Sequence, residues 1–551
     1  MDIVWDIDKF PTNNITQFNL DDFEQPITPE QLSPLFAALR YNTYFSGLII
    51  KNIPLDVRRT IPEIGKCLSF NKTFTKLVLS NVGLNKDAGS FIADGIKANP
   101  ETSIHSIDLS RNQLDDKAVT AFANCIGNQK NGIIQLNAAH CGISKNGLSL
   151  LAQAFRKNVH TTSTLSSLNL ADNHLDPEGS AALSSWLANP NKVHELNLCN
   201  TNANLEVIMP ALVRGCAEIR RINVSGNKIG KKAVQSLSQF VQSADSLLTL
   251  NLDNTSLSVD EMVAITQAIG GNPYLQNFDL SIAANKLGIQ GAKQIAVISS
   301  SAPNIVRLNL ADNEFGDEGM SLVCQALANS QSLTSIDLSR NFSKVPTKGR
   351  GQAIEDLIFL ISSDCPLEKL SLAGSKNFNL KTDILSFIDA VATNDTLLFL
   401  DISSNQFGNK GAIAIGKMLQ TNRKLEHLVW EDNGTTLYGF TAVVNGLERN
   451  KTVKEMPLPI LDISNAFKND PPEGLQKTMT RLQGLLARNQ NPKSLMSGGS
   501  SSSFSQFSIL VSSSSFFLSY PFFFLLPPFI FIYYFIYSPF IEMVFISLQV
   551  D

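Results

Sequence analysis

Two stretches of this 551-residue chain, and its scattered histidines and cysteines, have residue types that could do chemistry. "GAIAIGKM" (411–418) matches G-x-x-x-x-G-K, the start of a loop whose backbone N–H groups cradle phosphates. That motif needs Ser or Thr next, to hold magnesium, and the chain has Met418. With Ile413 and Ile415 as packing residues, the stretch reads as an ordinary helix. His140 and Cys141 are adjacent, as a base and a thiol nucleophile could be. Cys141, however, falls at a place that a repeating pattern gives to a buried side chain. His105, His194 and His427 sit near strand starts with no partner arrangement. Cys67, Cys125, Cys141, Cys199, Cys216, Cys324 and Cys365 form no C-x-x-C pair, and no histidine lies at metal spacing. That usage fits reduced thiols in a cytosolic protein rather than a disulfide framework or zinc site. No catalytic, cofactor-binding or metal-binding residue is assigned.

The bulk numbers point the same way. A net charge of −4 offers no basic field for nucleic acid, and 43% hydrophobic residues suffice for a large core. The acidic, mixed start "MDIVWDIDKF" is no secretory signal.

What would position any functional side chain is a repeat. "LNLADN" occurs at 168–173 and again at 308–313, 140 residues apart. Marking the last apolar residue of each L-x-L pair gives Ile49, Leu79, Leu109, Ala138, Leu170 and so on through Trp430 and Leu458. The commonest step is 28 residues, so the two copies are one turn repeated five units later. Each unit reads as a short strand with two inward leucines, a turn, and an amphipathic helix such as "LDPEGSAALSSWLANP". Strand plus full helix at this period predicts an α/β fold: a right-handed leucine-rich-repeat solenoid (horseshoe) of the ribonuclease-inhibitor-like subtype, with about fifteen units. Asn112, Asn173, Asn227, Asn313, Asn341, Asn405 and Asn433 stand three residues after the second leucine, where their amides can satisfy exposed backbone as a ladder. Cys141, Thr201 and Thr255 take that place in intervening units.

The residue between the inward leucines should form a column on the concave face: Asp108, Asn137, Asn169, Asn197, Asn223, Asn251, Asp279, Asn309, Asp337 and Asp401. In register these make a polar platform for a ligand, or only the Asn and Asp that any exposed strand position tolerates. Arg111 and Arg340, both in "LSRN", share that face and could take acidic groups, or be only solvated surface. The long step from Leu338 to Leu372 contains "SKVPTKGRGQ", a basic loop that could meet acidic lipid or a partner, or be a tolerated insertion.

Residues 1–45 read as a linker and N-terminal cap, with Thr28, Pro29 and Gln31 arranged as a capping box. The solenoid runs over 46–460. A helical cap follows over 461–490, with Leu475, Met479, Leu482, Leu485 and Leu486 on one face. From 491 to 551 the composition is low-complexity and hydrophobic. Twelve of the 33 phenylalanines follow Lys493, and no Lys or Arg does. The run is long enough to cross a bilayer, about 20 apolar residues. Pro521, Pro527, Pro528 and Pro539 interrupt it, and its thymine-rich codon classes read as mis-predicted coding sequence.

"KLEHLVWEDNGTTLYGF" (424–440) followed by "MPLPILDISNAFKNDPPEG" (456–474) resembles the end of the repeat domain in the CARMIL family, the capping-protein and myosin I linkers. In that family a W-x-x-N turn leads into an M-P-L-P strand and a cap. "VWDID" (4–8), "FNLDDF" (18–23) and "AALRYNTYF" (37–45) resemble its linker into the first repeats. The resemblance covers residues 3–490. It implies a non-enzymatic scaffold of the actin cytoskeleton, cytoplasmic at the cell cortex or plasma membrane. The implied protein partners are actin capping protein, the actin-nucleating Arp complex and myosin I. It also implies a preceding membrane-binding domain and homodimerisation through later helices; no cofactor and no nucleic acid are expected from the residues themselves. The basic, proline-containing segment that would bind capping protein is not found after Gln490. Two alternatives stay open at this point: a leucine-rich-repeat GTPase-activating protein, and a membrane-anchored receptor with glycans at sites such as Asn71 and Asn450.

Overall fold

The computed structural model describes residues 14–23 and 27–491; "VWDID" and the tail beyond 491 lie outside the described residues. Fifteen short strands form one parallel sheet in strict sequence order, from β1 (Gln17–Asn19) and β2 (Gly47–Lys51) to β15 (His427–Val429). A helix follows nearly every strand, so each unit is a β-helix-β crossover to its next neighbour, the connection that is right-handed in nearly all proteins. Strands stack about 4.8 Å apart and helices about 9 Å apart, which bends such a stack with the sheet inside.

One unit shows why the sequence folds this way. In Ser167–Asn169 the middle leucine points inward, and Leu168 and Leu170 are 1% and 2% exposed. The chain then turns through Asp172 at φ +56°, left-handed backbone that Asn and Asp tolerate best. The helix Asp176–Leu187 closes the unit, burying Leu183, Trp186 and Leu187. Helix starts elsewhere are capped by Asn85, Asp115, Ser144 and Asn204, whose side chains accept helical N–H groups.

The ends differ from the sequence reading by one unit at each side. β1 lies within the stretch expected to be linker, and its Phe18 is fully buried against Phe23 and Phe45. At the start of the repeat, Leu48 and Ile50 face inward, so the marker Ile49 belongs to the concave column instead. The expected strand at "MPLP" is absent: one bridge joins His427 to Glu455, and pairing stops there. Leu428 N–H donates to Glu455 O, and Glu455 N–H to Glu426 O, both at 3.1 Å. The next rung would need an N–H from residue 457, which is proline.

Two helices, Ile460–Ala466 and Pro472–Gln490, cover that end. Leu475, Leu482 and Leu486 of the second are buried, with Met479 and Leu485 packed beside them. Arg488 donates to the terminal carbonyls of the last repeat helix, Leu447 (3.1 Å) and Glu448 (3.0 Å), where positive charge is favoured. Asp462 replaces the missing next rung of the asparagine ladder, accepting N–H groups of Asn433 (2.9 Å), Gly434 (2.8 Å) and Thr435 (3.3 Å). We expect Asp462→Ala to loosen the last unit alone, since solenoid repeats touch only their neighbours. Hydrogen exchange should show Asn433–Thr435 amide protection falling roughly thirtyfold, matching about 2 kcal/mol of lost charge-assisted bonding. Unchanged protection would mean the cap holds the unit by packing alone.

The phosphate-loop look-alike lies inside the helix Gly408–Thr421. A side chain at Gly416 would run into the backbone of Ala442, and one at Gly446 into that of Gly416. Its glycines let adjacent helices approach.

Candidate concave interface

The column positions carry one local device. In nine of them, Asp108, Asn137, Asn169, Asn197, Asn223, Asn251, Asn309, Asp337 and Asp401, Oδ1 accepts the N–H two residues ahead at 2.9–3.2 Å. This closes the turn that ends the strand, a bond only a short side chain with an oxygen can make. The oxygen is therefore committed to the fold. The amide nitrogens of Asn137, Asn169, Asn197, Asn223 and Asn309 take no acceptor from the described residues. The middle of the column is thus a row of hydrogen-bond donors, with Ile49 and Val78 before it and Asp337 and Asp401 towards its far end.

Asp279 does not belong to that row. Register pairs Ser281 with both Asn251 and Asn309, while Asp279 lies beside Thr249 and Arg307. Phe278, Leu280 and Ile282 are all buried at alternate positions, and sequence alternation favoured the wrong pair of the three. Asp279 forms an ion pair with Arg307. Burial pushes its carboxyl up, with Arg307 acting against that.

Arg111 and Arg340 lie in the turn after their strands, at φ +59° and +56°. His140 (φ +54°) holds the same place in its unit, which makes it a turn residue rather than the base for a nucleophile. Cys141 is fully buried and burial pushes its thiol up to about 12, so it is not a thiolate at neutral pH. His194 bonds Ser166 (2.7 Å) and His427 bonds Glu455 (3.1 Å). Among the described residues no group of His, Cys, Asp or Glu could hold a metal ion. The far end of the face is acidic. Burial raises the carboxyls of Asp253 and Asp401; the Asp337 charge adds to both, and Arg340 works against the rise at Asp401.

The ladder asparagines lie beneath this face, each at most 2% exposed. Asn173 Nδ2 donates to the carbonyls of Ala138, Leu170 and Ala171 at 2.8–3.1 Å. Its Oδ1 accepts from Cys141 (3.2 Å) and Ile143 (3.0 Å) of the preceding unit. Asn112, Asn227, Asn313, Asn341, Asn405 and Asn433 repeat the pattern. Asn285, which sequence reading missed with the shifted register, joins them.

A second ladder, also missed, runs where the helices end. Asn422 donates to Val391 O (2.8 Å) and Asn394 O (3.0 Å) and accepts from Lys424 and Leu425. Asn71, Asn99, Asn158, Asn272 and Asn450 do likewise. Its signal was legible as Asn three residues before an apolar one, as in "NRKL" and "NKTV". Asn71 and Asn450 are 3% and 0% exposed, which removes them as glycan sites and with them that support for a receptor.

The loop "SKVPTKGRGQ" is pinned by its own arginine. Arg350 is 5% exposed; its Nε donates to Asp317 Oδ1 (2.7 Å), Nη2 to Ser343 O (2.7 Å) and Nη1 to Asp383 Oδ2 (3.2 Å). Of its basic residues, only Lys344 and Lys348 are exposed.

With this geometry in hand, comparison with known proteins identifies the lineage. The family model described as "CARMIL family, LRR domain" matches residues 1–491. The chain belongs to the CARMIL family. It is 38% identical over 508 residues to Protein CARMIL of Dictyostelium discoideum, covering 91% of this chain and 48% of that protein. It is 30% identical over 499 residues to human "Capping protein, Arp2/3 and myosin-I linker protein 3", covering 89% of this chain and 36% of that one. It is also 26% identical over 514 residues to the Dictyostelium Rho GTPase-activating protein gacW, covering 90% of this chain and 42% of that protein. The chain thus spans half or less of the length of these relatives. No helix among the described residues is long and apolar enough to cross a membrane.

Proposed function

We propose that this CARMIL chain is the repeat scaffold of a regulator of capping protein and actin assembly, working in the cytoplasm at the cell cortex without catalysis of its own. The observation that supports this most is the family match across the whole repeat, joined to an unbroken concave sheet that presents donors in its middle and carboxylates at one end. Such a face fits an extended protein partner that brings carbonyl or carboxylate acceptors to Asn169–Asn223 and basic side chains towards Asp337 and Asp401. Capping protein, the Arp2/3 complex and myosin I, named by the human relative, are the first partners to test.

Binding of each to the purified chain is measured by fluorescence anisotropy, beside the variant Asn169→Arg/Asn197→Arg/Asn223→Arg. We expect at least one to bind and the triple variant to weaken it tenfold or more, since a few central residues carry most interface energy. No binding to any of the three, or equal binding by the variant, would overturn the reading. A Rho-type GTPase with the chain added should hydrolyse GTP at its basal rate; acceleration would favour the activity that gacW is named for.

A further inference from the structure

Two neighbouring units are enlarged at the same place, the strand-to-helix connection. In most other units five residues separate the second inward apolar residue from the buried apolar residue that leads into the helix, as from Leu310 to Phe315 and Ile402 to Phe407; from Leu372 to Leu380 it takes eight. In the unit before, Leu338 is followed by the loop that ends at Arg350. The two insertions lie together, because Arg350 binds Ser343 in the first and Asp383 beside the second. Both are held in shape. Asp317 accepts from Ser343 N–H (3.1 Å) and Thr347 N–H (2.9 Å), and Ser375 N–H donates to Phe378 O (2.7 Å).

What this frame displays is basic and apolar. Lys344, Lys348, Lys376 and Lys381 are exposed, and none forms an ion pair with the described residues. The nearby acids Asp317 and Asp383 are taken by Arg350. Between Lys344 and Lys348 stand Val345, 73% exposed, and Pro346, also exposed, as an apolar tip. Glu318 of the preceding unit, whose side chain lies beside Gly349, bounds the patch.

We propose that this ridge is a contact site for an anionic lipid surface: the four lysines meet the headgroup charge, and Val345–Pro346 enters the headgroup boundary. A bilayer supplies both partners at once, a layer of negative charge and an apolar boundary just beneath it. Each lysine near such a surface multiplies partitioning roughly fivefold at low salt, so four make a substantial but reversible attachment, suited to supplement another membrane signal.

The test is sedimentation of the full chain with phosphatidylcholine vesicles, with and without phosphatidylserine. Wild type should bind the serine lipid preferentially, and Lys344→Ala/Lys348→Ala/Lys376→Ala/Lys381→Ala should lose at least tenfold of that preference. The matching Lys→Arg set should keep it, and Val345→Asp should cost a few-fold. The hydrophobic tail is present in every variant, so its contribution cancels. A wild-type chain indifferent to phosphatidylserine, or a quadruple alanine variant that retains the preference, overturns the proposal. Lysine-dependent binding to polyglutamate without lipid preference would also overturn it and assign the ridge to an acidic protein.

Discussion

Arg350→Met should destabilise the protein by about 3–5 kcal/mol near neutral pH, the range for breaking a buried ion pair and leaving one charge behind. The Asp317 side chain is fully buried. Burial alone would raise its carboxyl, but the N–H of Thr347, Arg350, the Thr347 hydroxyl and the N–H of Ser343 together hold it below the ordinary 3.8. A carboxyl so depressed contributes stability above the unfolded-state value and loses it as pH falls through its folded value. Removing Arg350 withdraws the one full positive charge in that set, and the carboxyl rises. The loss in the variant should therefore be greatest near neutral pH and shrink as pH falls into the usual carboxylate range, where Asp317 takes up a proton. Urea denaturation across pH reads this directly. A destabilisation independent of pH would show that Arg350 acts by packing, including its stacking 5.3 Å from the Phe342 ring, rather than by charge.

The second large effect belongs to the asparagine ladder. Asn173→Leu should cost about 3–5 kcal/mol: the buried N–H groups of Cys141 and Ile143 lose their acceptor, at about 1–3 kcal/mol each, and the carbonyls of Ala138 and Leu170 lose a donor, while that of Ala171 keeps the His140 N–H, so the two unpaired N–H groups dominate the loss. Thr201→Val, at the same place one unit on, is the control. Its hydroxyl makes only two bonds, to Leu198 O (2.8 Å) and Asn227 Oδ1 (3.2 Å), so about 1 kcal/mol is expected. Trp186, in the same unit as Asn173 and packed 5.0 Å from Phe155, reports the local loss by fluorescence. Equal effects at the two positions would mean that the rung matters through shape and not through its hydrogen bonds.

Much of this was legible beforehand because a solenoid is built from nearest-neighbour contacts. The period, the inward leucines and the place of Asn173 follow from the chemistry of one unit, and every unit repeats it. The end cap was also legible, since Leu475, Leu482 and Leu486 share one helical face whatever they pack on.

Only the tertiary structure could decide the rest. Alternation in Phe278–Ile282 fixes which face is apolar, yet a shift of two residues leaves that face unchanged; pairing with Asn251 and Asn309 set the register and moved Asp279 out of the column. The oxygen of each column asparagine is spent on a turn that exists only once the strand ends, which converts an apparent polar platform into a row of donors. Arg350 looked like one more charge in a basic loop. Its partners, Asp317 and Asp383, are each 33 residues away in sequence and adjacent only after neighbouring units stack. Sequence by itself determined the repeating unit, because that unit is local. Register, solenoid ends and the burial of a charge are properties of units in contact, and these the folded stack decided.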